Sequence, residues 1–307
     1  MSTLTRERAG TESTDERQQQ TSGGEKAFLG VTHAVLVFWS IIVIGPMLWT
    51  LMTSFKSTRE IFASPFSLPD SLQLENYANA WTDAGIGNYF LNTILIVGSA
   101  LVIVMTLGSM CAYVLARFRF RGRRLIYYTM LAGLTFPVFL AIVPLFKLMQ
   151  GLKLNLGFAT IGPLLNTQPG LVVVYVAFAL PFTVFFLYPF FKKLPDEISE
   201  AASVDGAGEW RTFFQVMLPM ARPGLAAVGI LNFLGLWNQF LLPVALNPNA
   251  EQYVLSQGMA AFASAAGYEV DQGALFAAVI ITIVPVLLVY IFFQRQLQGS
   301  VSQGTSK

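Results

Sequence analysis

Few side chains in this 307-residue chain are of the kinds that do covalent chemistry. The single histidine, His33, lies in an apolar run, so a Ser/His pair would have to be built there, and no second histidine is present to share a metal. It reads as an interfacial packing residue. Cys111 is also alone, which excludes an intramolecular disulfide and a Cys-rich zinc or iron–sulfur site; its apolar setting reads as helix packing. No G-x-x-x-x-G-K-[ST] occurs: Gly299 to Ser306 repeats the glycine spacing but has Thr305 where a lysine must reach the phosphates, so no ATP site is expected in this chain. Gly206-Ala207-Gly208 fails as a dinucleotide fingerprint because Arg211 stands where the third glycine belongs. What remains is recognition by uncharged groups. Asn92, Tyr113, Asn238 and Gln239 are polar residues in apolar surroundings, where each needs a hydrogen-bond partner. Trp237 beside Asn238 and Gln239 adds an indole suited to stacking. These three mark a polar helix face that either lines a solute pathway or fixes a bundle by an interhelical hydrogen bond.

The elements that hold such residues are set by composition. Hydrophobic residues make up 54% of the chain and charged residues 12%, against about 25% charged in a soluble domain. Mean hydropathy is +0.59, and 26 phenylalanines add to an apolar surface larger than one core of this length could hide. A soluble globular enzyme is excluded and lipid is the expected solvent. The net charge of +2, from 19 basic and 17 acidic residues, gives no field that would recruit nucleic acid.

Six long runs carry no Asp, Glu, Lys or Arg, and each holds the roughly 20 residues a helix needs to cross the bilayer. The expected spans are 28–55, 89–116, 125–147, 171–191, 224–246 and 273–294. Asn166-Thr167-Gln168-Pro169-Gly170 interrupts the fourth run, and Gln252 to Tyr268, too short and polar to span, reads as an interfacial helix. Lys and Arg number 15 in alternate segments against 4 in the others, which predicts both termini, the Arg117 to Arg124 loop and the 192–222 loop in the cytoplasm. Asp70, Glu75, Asp83, Glu251, Glu269 and Asp271 then fall outside. Residues 1–26, polar and without an apolar core, read as disordered, and 297–307 as a cytoplasmic tail. Prolines at 46, 137, 144, 181, 243 and 285 remove backbone hydrogen bonds within the spans, as expected either of a bundle that moves or of kinks that fit helices together. The uncharged runs leave no proton relay or gating charge, which disfavours a proton-coupled carrier or a voltage sensor.

The 192–222 loop is richer than a connector. Leu194-Pro195-Asp196-Glu197 is a helix start, with acids in the first turn. Ile198, Ala201, Ala202 and Asp205 then share a face, and Gly206 stops the helix. After Gly208 a second short helix puts Trp210, Phe213, Phe214 and Met217 on one side and ends at Leu218-Pro219. On periodicity alone such a pair could simply lie on lipid.

The run Glu200-Ala201-Ala202, Gly206, Val216, Leu218-Pro219 resembles the EAA loop, E-A-A-x3-G-x9-I-x-L-P, of permease subunits in ATP-binding-cassette importers; only Val216 departs, conservatively, from Ile. Ser54-Phe55-Lys56, Glu75-Asn76-Tyr77, Ala112-Tyr113, the stretch Ala116 to Gly122, Asp205-Gly206-Ala207 and Trp237-Asn238 resemble the carbohydrate branch, the maltose-importer type of the binding-protein-dependent transport inner membrane family. The chain departs from it in the extra stretch Gln150 to Pro163 and in lacking a Gly-Ala-Val-Lys ending.

The resemblance implies an all-α membrane protein of six transmembrane helices with a cytoplasmic coupling-helix loop, and no chemistry of its own. Glu200, Ala201, Ala202, Asp205 and Gly206 would dock in a groove of a cytoplasmic ATPase. Sugar would cross by alternating access, along a pathway to which Asn92, Tyr113, Trp237, Asn238 and Gln239 contribute. Relatives use the outer loop after the fifth span to probe the binding protein, so Asn247, Pro248, Asn249, Glu251 and Tyr253 are the candidates for that contact. Implied partners are a second permease, two ATPase subunits carrying the ATP and magnesium, and an extracellular or periplasmic solute-binding protein. No cofactor or metal is expected in this chain. A permease for a non-sugar solute, a secondary carrier or channel, and an intramembrane enzyme are the rival readings.

Overall fold

The computed structural model describes residues 23–155, 157, 160–265 and 271–302. Of the expected disordered N-terminus, 1–22 lie outside the described residues, as do Tyr268, Glu269 and 303–307. Gly23 to Lys26, placed by the sequence in that terminus, instead form the first turn of helix α1 (Gly23–Thr53).

The chain divides into two compact units, 1–50 and 51–307. In the first, α1 exposes apolar side chains all along its length, Val35, Phe38, Trp39 and Ile42 among them. Its polar groups are satisfied on their own helix: Thr32 Oγ1 donates to Phe28 O, Ser40 Oγ to Leu36 O and Thr50 Oγ1 to Pro46 O. His33 is exposed, and its Nδ1 donates to Leu29 O at 2.7 Å.

The second unit begins with two short helices, α2 (Thr58–Ala63) and α3 (Glu75–Thr82), laid beside the start of a long one. Ser57 and Glu60 form a capping box on α2, and the backbone N–H groups of Ser57 and Asp70 hold the Glu60 carboxyl below the usual carboxylate range. Lys56 is fully buried, its ammonium donating to Ser64 O at 2.9 Å and to Pro65 O and Ser67 Oγ at 3.3 Å. The bundle is built on α4 (Ile86–Arg117) and α7 (Gln168–Lys193), which pack along each other; α11 (Arg222–Trp237) lies against both, and α14 (Gln272–Ser302) against α11 and α3.

Close approach of α4 and α7 depends on Gly108. A Cβ there would stand 2.4 Å from Thr183 Cγ2 and 2.9 Å from Thr183 Cβ. Gly108→Val is therefore expected to lower stability by about 1–3 kcal/mol, read as a fall in the thermal midpoint of the purified protein. Pairing it with Thr183→Ser, which removes the clashing Cγ2 and keeps the hydroxyl, should return part of the loss; no recovery would mean that the two helices do not meet there.

Two expected spans are not single helices. The third, 125–147, is α5 (Arg123–Thr135) and α6 (Val138–Gly151), bent by 106° at Phe136-Pro137. Phe136, held extended at ψ 121 by the proline after it, cannot continue the helix. The fifth, 224–246, is α11 and α12 (Leu241–Leu246), parted at Asn238 to Phe240. Four helices are long and apolar enough to cross a membrane, Phe28–Thr53, Ile86–Arg117, Gln168–Lys193 and Gln272–Gln294. The number rises to six if Arg123–Thr135 with Val138–Gly151, and Glu209–Met220 with Arg222–Trp237, each count as one bent span.

The interruption at 166–170 is the N-terminus of α7: Thr167 caps it by accepting from Gly170 N, and Asn166 takes φ 60. The extra stretch after α6 contains a small antiparallel ribbon, β1 (Leu154–Asn155) on β2 (Thr160–Ile161), the one departure from all-α among the described residues. It is tied down by Leu164 N to Leu152 O, Leu165 N to Met149 O and Asn166 N to Leu246 O. The expected interfacial helix is α13 (Leu255–Ala265), packed on α4.

Candidate functional site

The 192–222 loop starts where α7 ends. Leu194 and Pro195 are extended, and α8 (Asp196–Val204) follows, with Asp196 and Glu197 in its first turn. Gly206 takes φ 76 after it, its N–H donating to Ser203 O while Ala207 N donates to Ala202 O. The expected shared face is split. Ile198 packs into the apolar cluster beneath and Ala202, four residues on, is buried, whereas Glu200, Ala201, Asp205 and Gly206 are exposed, together with Val204 at 87%. What α8 offers outward is a small, acid-flanked surface.

The second helix runs through α9 (Glu209–Arg211), a π-helical stretch Thr212–Met217 and α10 (Leu218–Met220), one residue beyond the expected end. The π turn adds a residue per turn, and the expected aromatic face divides: Thr212, Phe213 and Met217 are buried, while Trp210 and Phe214 are exposed and stack on each other at 6.0 Å and 12°. Only the buried half fastens the loop to α4 and α7, through Tyr113, Val184, Leu187 and Phe191.

Arg117, in the last turn of α4, joins that helix to α8. Its guanidinium pairs with Asp196 and donates to Leu194 O at 2.7 Å and to Pro195 O at 3.3 Å. A cavity of about 160 Å³ opens beside it, lined by Tyr113, Arg117, Ser199, Glu200, Glu209 and Thr212 among others. Tyr113 packs on Phe118, Phe191 and Phe213 with centroids 5.0–5.8 Å apart.

Tyr113 lies beside the 192–222 loop, while Asn92, on the same helix, lies 21 residues or about 30 Å away. Asn92 is fully occupied by protein: its Nδ2 donates to Glu251 O and Tyr253 O, both at 3.1 Å, and its Oδ1 accepts from Gln168 Nε2 at 2.8 Å. Trp237 is buried against Phe90 and Phe233, with Nε1 donating to Thr282 O at 3.3 Å. Asn238 and Gln239 follow the end of α11 instead of lying on a helix face; Asn238 Nδ2 turns back to Leu234 O, and Gln239 O accepts from Ser256 Oγ. The five residues thus form no single lining. The polar group that does lie between helices is Asn232, buried, with Nδ2 donating to Thr183 Oγ1 at 2.8 Å and 3.6 Å from Met105 Sδ. Its signal was the single amide within the apolar stretch that forms α11.

At the opposite end, Asn247 is wholly buried, so it cannot touch a partner directly. Its Nδ2 donates to Gln252 O and its carbonyl accepts from Gln257 Nε2, both at 2.9 Å, and it shapes the loop from within. Asn249 is half-buried, its N–H donating to Asn166 Oδ1; Tyr253 is half-buried against Tyr89. Pro248 and Glu251 remain exposed on the loop surface. Among the described residues no three His, Cys, Asp or Glu side chains gather as a metal site requires.

The family described as binding-protein-dependent transport system inner membrane component matches residues 104–303. The diacetylchitobiose uptake system permease protein NgcG of Streptomyces coelicolor is 67% identical over 284 residues, 92% of this chain and 91% of that protein. Among solved structures, a chain of a bacterial ABC transporter involved in the import of the acidic polysaccharide alginate has the same fold, with a TM-score of 0.74 at 22% identity over 89% of this chain and 98% of that one. A chain of a bacterial alginate transporter in complex with alginate pentasaccharide-bound periplasmic protein matches with a TM-score of 0.64 at 13% identity, over 88% and 93%.

Proposed function

The chain belongs to the family of binding-protein-dependent transport system inner membrane components, and we propose that it is a permease subunit of a sugar ABC importer, moving a mono- or oligosaccharide through the cytoplasmic membrane by alternating access. ATP and magnesium act on two separate ATPase subunits; a second permease completes the pathway, and an extracellular or periplasmic binding protein delivers the sugar. The chain contributes no covalent chemistry of its own. It crosses the membrane six times, with its termini and coupling loop in the cytoplasm; α5 with α6 makes one crossing and α11 with α12 another. The observation that carries the coupling role is α8, whose outer surface is small and acid-flanked and whose inner side is fastened to α4 and α7.

Closure of the ATPase pushes on Glu200, Ala201, Asp205 and Gly206. Ile198 transmits the push inward by packing, and Arg117 transmits it to α4 by hydrogen bonds. At the other end, Pro248 and Glu251 meet the binding protein, with Asn247, Asn249 and Tyr253 holding the loop in shape beneath them. The sugar class rests on the 67% identity to a diacetylchitobiose permease.

Uptake of labelled diacetylchitobiose into proteoliposomes holding the assembled system tests the reading. It should require both internal ATP and external binding protein. Uptake that proceeds without ATP would identify a carrier or channel, and ATP-driven uptake of only non-sugar solutes would overturn the sugar class. Cysteine at Glu251, on a Cys111→Ser background, should cross-link to the binding protein's cleft rim only in the nucleotide-trapped complex. Equal cross-linking in every state would remove the probing role.

A further inference from the structure

Five arginines fall between Arg117 and Arg124, and two lysines close α7. Only Arg117 has a carboxylate: its contact with Asp196 is the one ion pair among the described residues. Arg119, Arg121, Arg124, Lys192 and Lys193 are exposed, and Arg123 is half-buried. Two of these cations converge on one phenol. Arg123 Nη2 donates to Tyr188 Oη at 3.1 Å, and Lys192 Nζ lies 5.6 Å from the centroid of the same ring. Tyr127, from α5, braces that ring at 5.0 Å.

The protein offsets this charge only in part. The C-terminal end of α7 favours Lys192 and Lys193, but the first turn of α5 carries Arg123 and Arg124 and no acid, where the helix dipole adds to the repulsion. An anion is the missing partner. Its nature follows from the next turn of α5, where Leu125 is 71% and Tyr128 60% exposed. Free phosphate would satisfy the cations and leave that apolar surface bare, whereas a phospholipid covers both.

We propose that Arg123 and Lys192, brought together on Tyr188 with Arg119, Arg121, Arg124 and Lys193 around them, bind the phosphate headgroup of an anionic phospholipid whose acyl chains lie along the exposed apolar side of α5. The lipid fastens α5 to the end of α7 from which the coupling loop departs. This placement in the inner leaflet rests on the cytoplasmic orientation given under Proposed function.

The test uses the full-length protein in nanodiscs of phosphatidylcholine, alone or mixed with an equal share of phosphatidylglycerol. Native mass spectrometry counts the lipids retained, and a thermal scan checks that each variant is folded. The wild type should retain phosphatidylglycerol preferentially and unfold at a higher temperature in its presence. Arg123→Gln with Lys192→Gln should lower that retention roughly fivefold for each cation removed, the equivalent of about 1 kcal/mol per basic residue at an anionic surface. Tyr188→Phe, which keeps the ring under Lys192 and frees Arg123, should fall between, and Arg59→Gln with Lys153→Gln should leave the preference intact. Equal retention of the two lipids by the wild type, or an unchanged preference in the double variant, overturns the proposal. Millimolar inorganic phosphate that abolishes the lipid response would assign a small-anion site, and displacement of the lipid by purified ATPase subunit a protein contact; each overturns it as well. Because both leaflets of a nanodisc are exposed, the result is independent of orientation. Labelling of Ser199→Cys in intact cells by an impermeant thiol reagent, on a Cys111→Ser background, would instead overturn the orientation.

Discussion

Gly206→Val is expected to leave the protein inserted in the membrane and to abolish sugar uptake. At φ 76 the backbone lies in the left-handed region, where a β-branched residue costs roughly 1–2 kcal/mol. The space beside Gly206 is open, with nothing within 4 Å of an added Cβ, so the penalty is conformational and the chain can relieve it only by changing the turn. Relief would cost Gly206 N to Ser203 O and Ala207 N to Ala202 O, the two bonds that close the end of α8. Both lie at the exposed tip, away from the buried cluster, so folding of the bundle survives while the surface offered to the ATPase is misplaced. Gly206→Asn, whose side chain tolerates this conformation, should keep most of the activity. Uptake per inserted protein, measured for both variants, decides the matter. Normal transport by the valine variant would show that the turn is not needed for coupling.

That turn was legible in the sequence because its causes are local. Pro195 and the acids after it open α8 and Gly206 closes it, all within about three helical turns. The same holds for α13 and for the start of α7, where Asn166-Thr167 and Pro169-Gly170 sit side by side. What local pattern could not give was the response of each helix to its neighbours. Pro46, Pro181 and Pro285 lie inside continuous helices, whereas Pro137 ends one and redirects the chain by 106°. Pro181 meets Gly133 of α5, where a Cβ would stand 2.9 Å from the ring, so a glycine on another helix accommodates the proline. Periodicity counts residues per turn and is blind to that.

The candidate site divides along the same line. The spacing of Glu200, Ala201, Ala202 and Gly206 marked α8 as the candidate coupling helix, but a strict 3.6-residue period put Trp210 with Phe213, and the π turn separates them. Polar residues were harder still, because their partners are far away in the chain. Asn92 bonds to residues 159 and 161 positions on, and Asn232 to one 49 positions back. A lone amide in an apolar run announces that it needs a partner without saying whether the partner is protein or solute. Here Asn92 and Asn232 found protein.

Arg117→Ala should uncouple ATP hydrolysis from transport more severely than any change at the carboxylate it pairs with. The guanidinium side chain is 8% exposed and Asp196 83%, so the ion pair is solvated on one side and worth little by itself. The carbonyls of Leu194 and Pro195 are different: they leave α7 just before α8 begins, and the arginine fixes the angle between these helices through them. Losing charge-assisted bonds of this kind costs about 1.5–3 kcal/mol each, enough to let α8 swing relative to α4. Arg117→Lys should not rescue, because a point charge on a flexible stem cannot hold three acceptors at once, and Asp196→Asn should be the mildest of the three. The readout is sugar moved per ATP hydrolysed in proteoliposomes supplied with binding protein. Uncoupled hydrolysis that follows the order alanine, lysine, then the aspartate variant assigns the mechanical link to the backbone carbonyls. An aspartate variant as damaged as Arg117→Ala would move that link to the ion pair and remove the carbonyls from the argument.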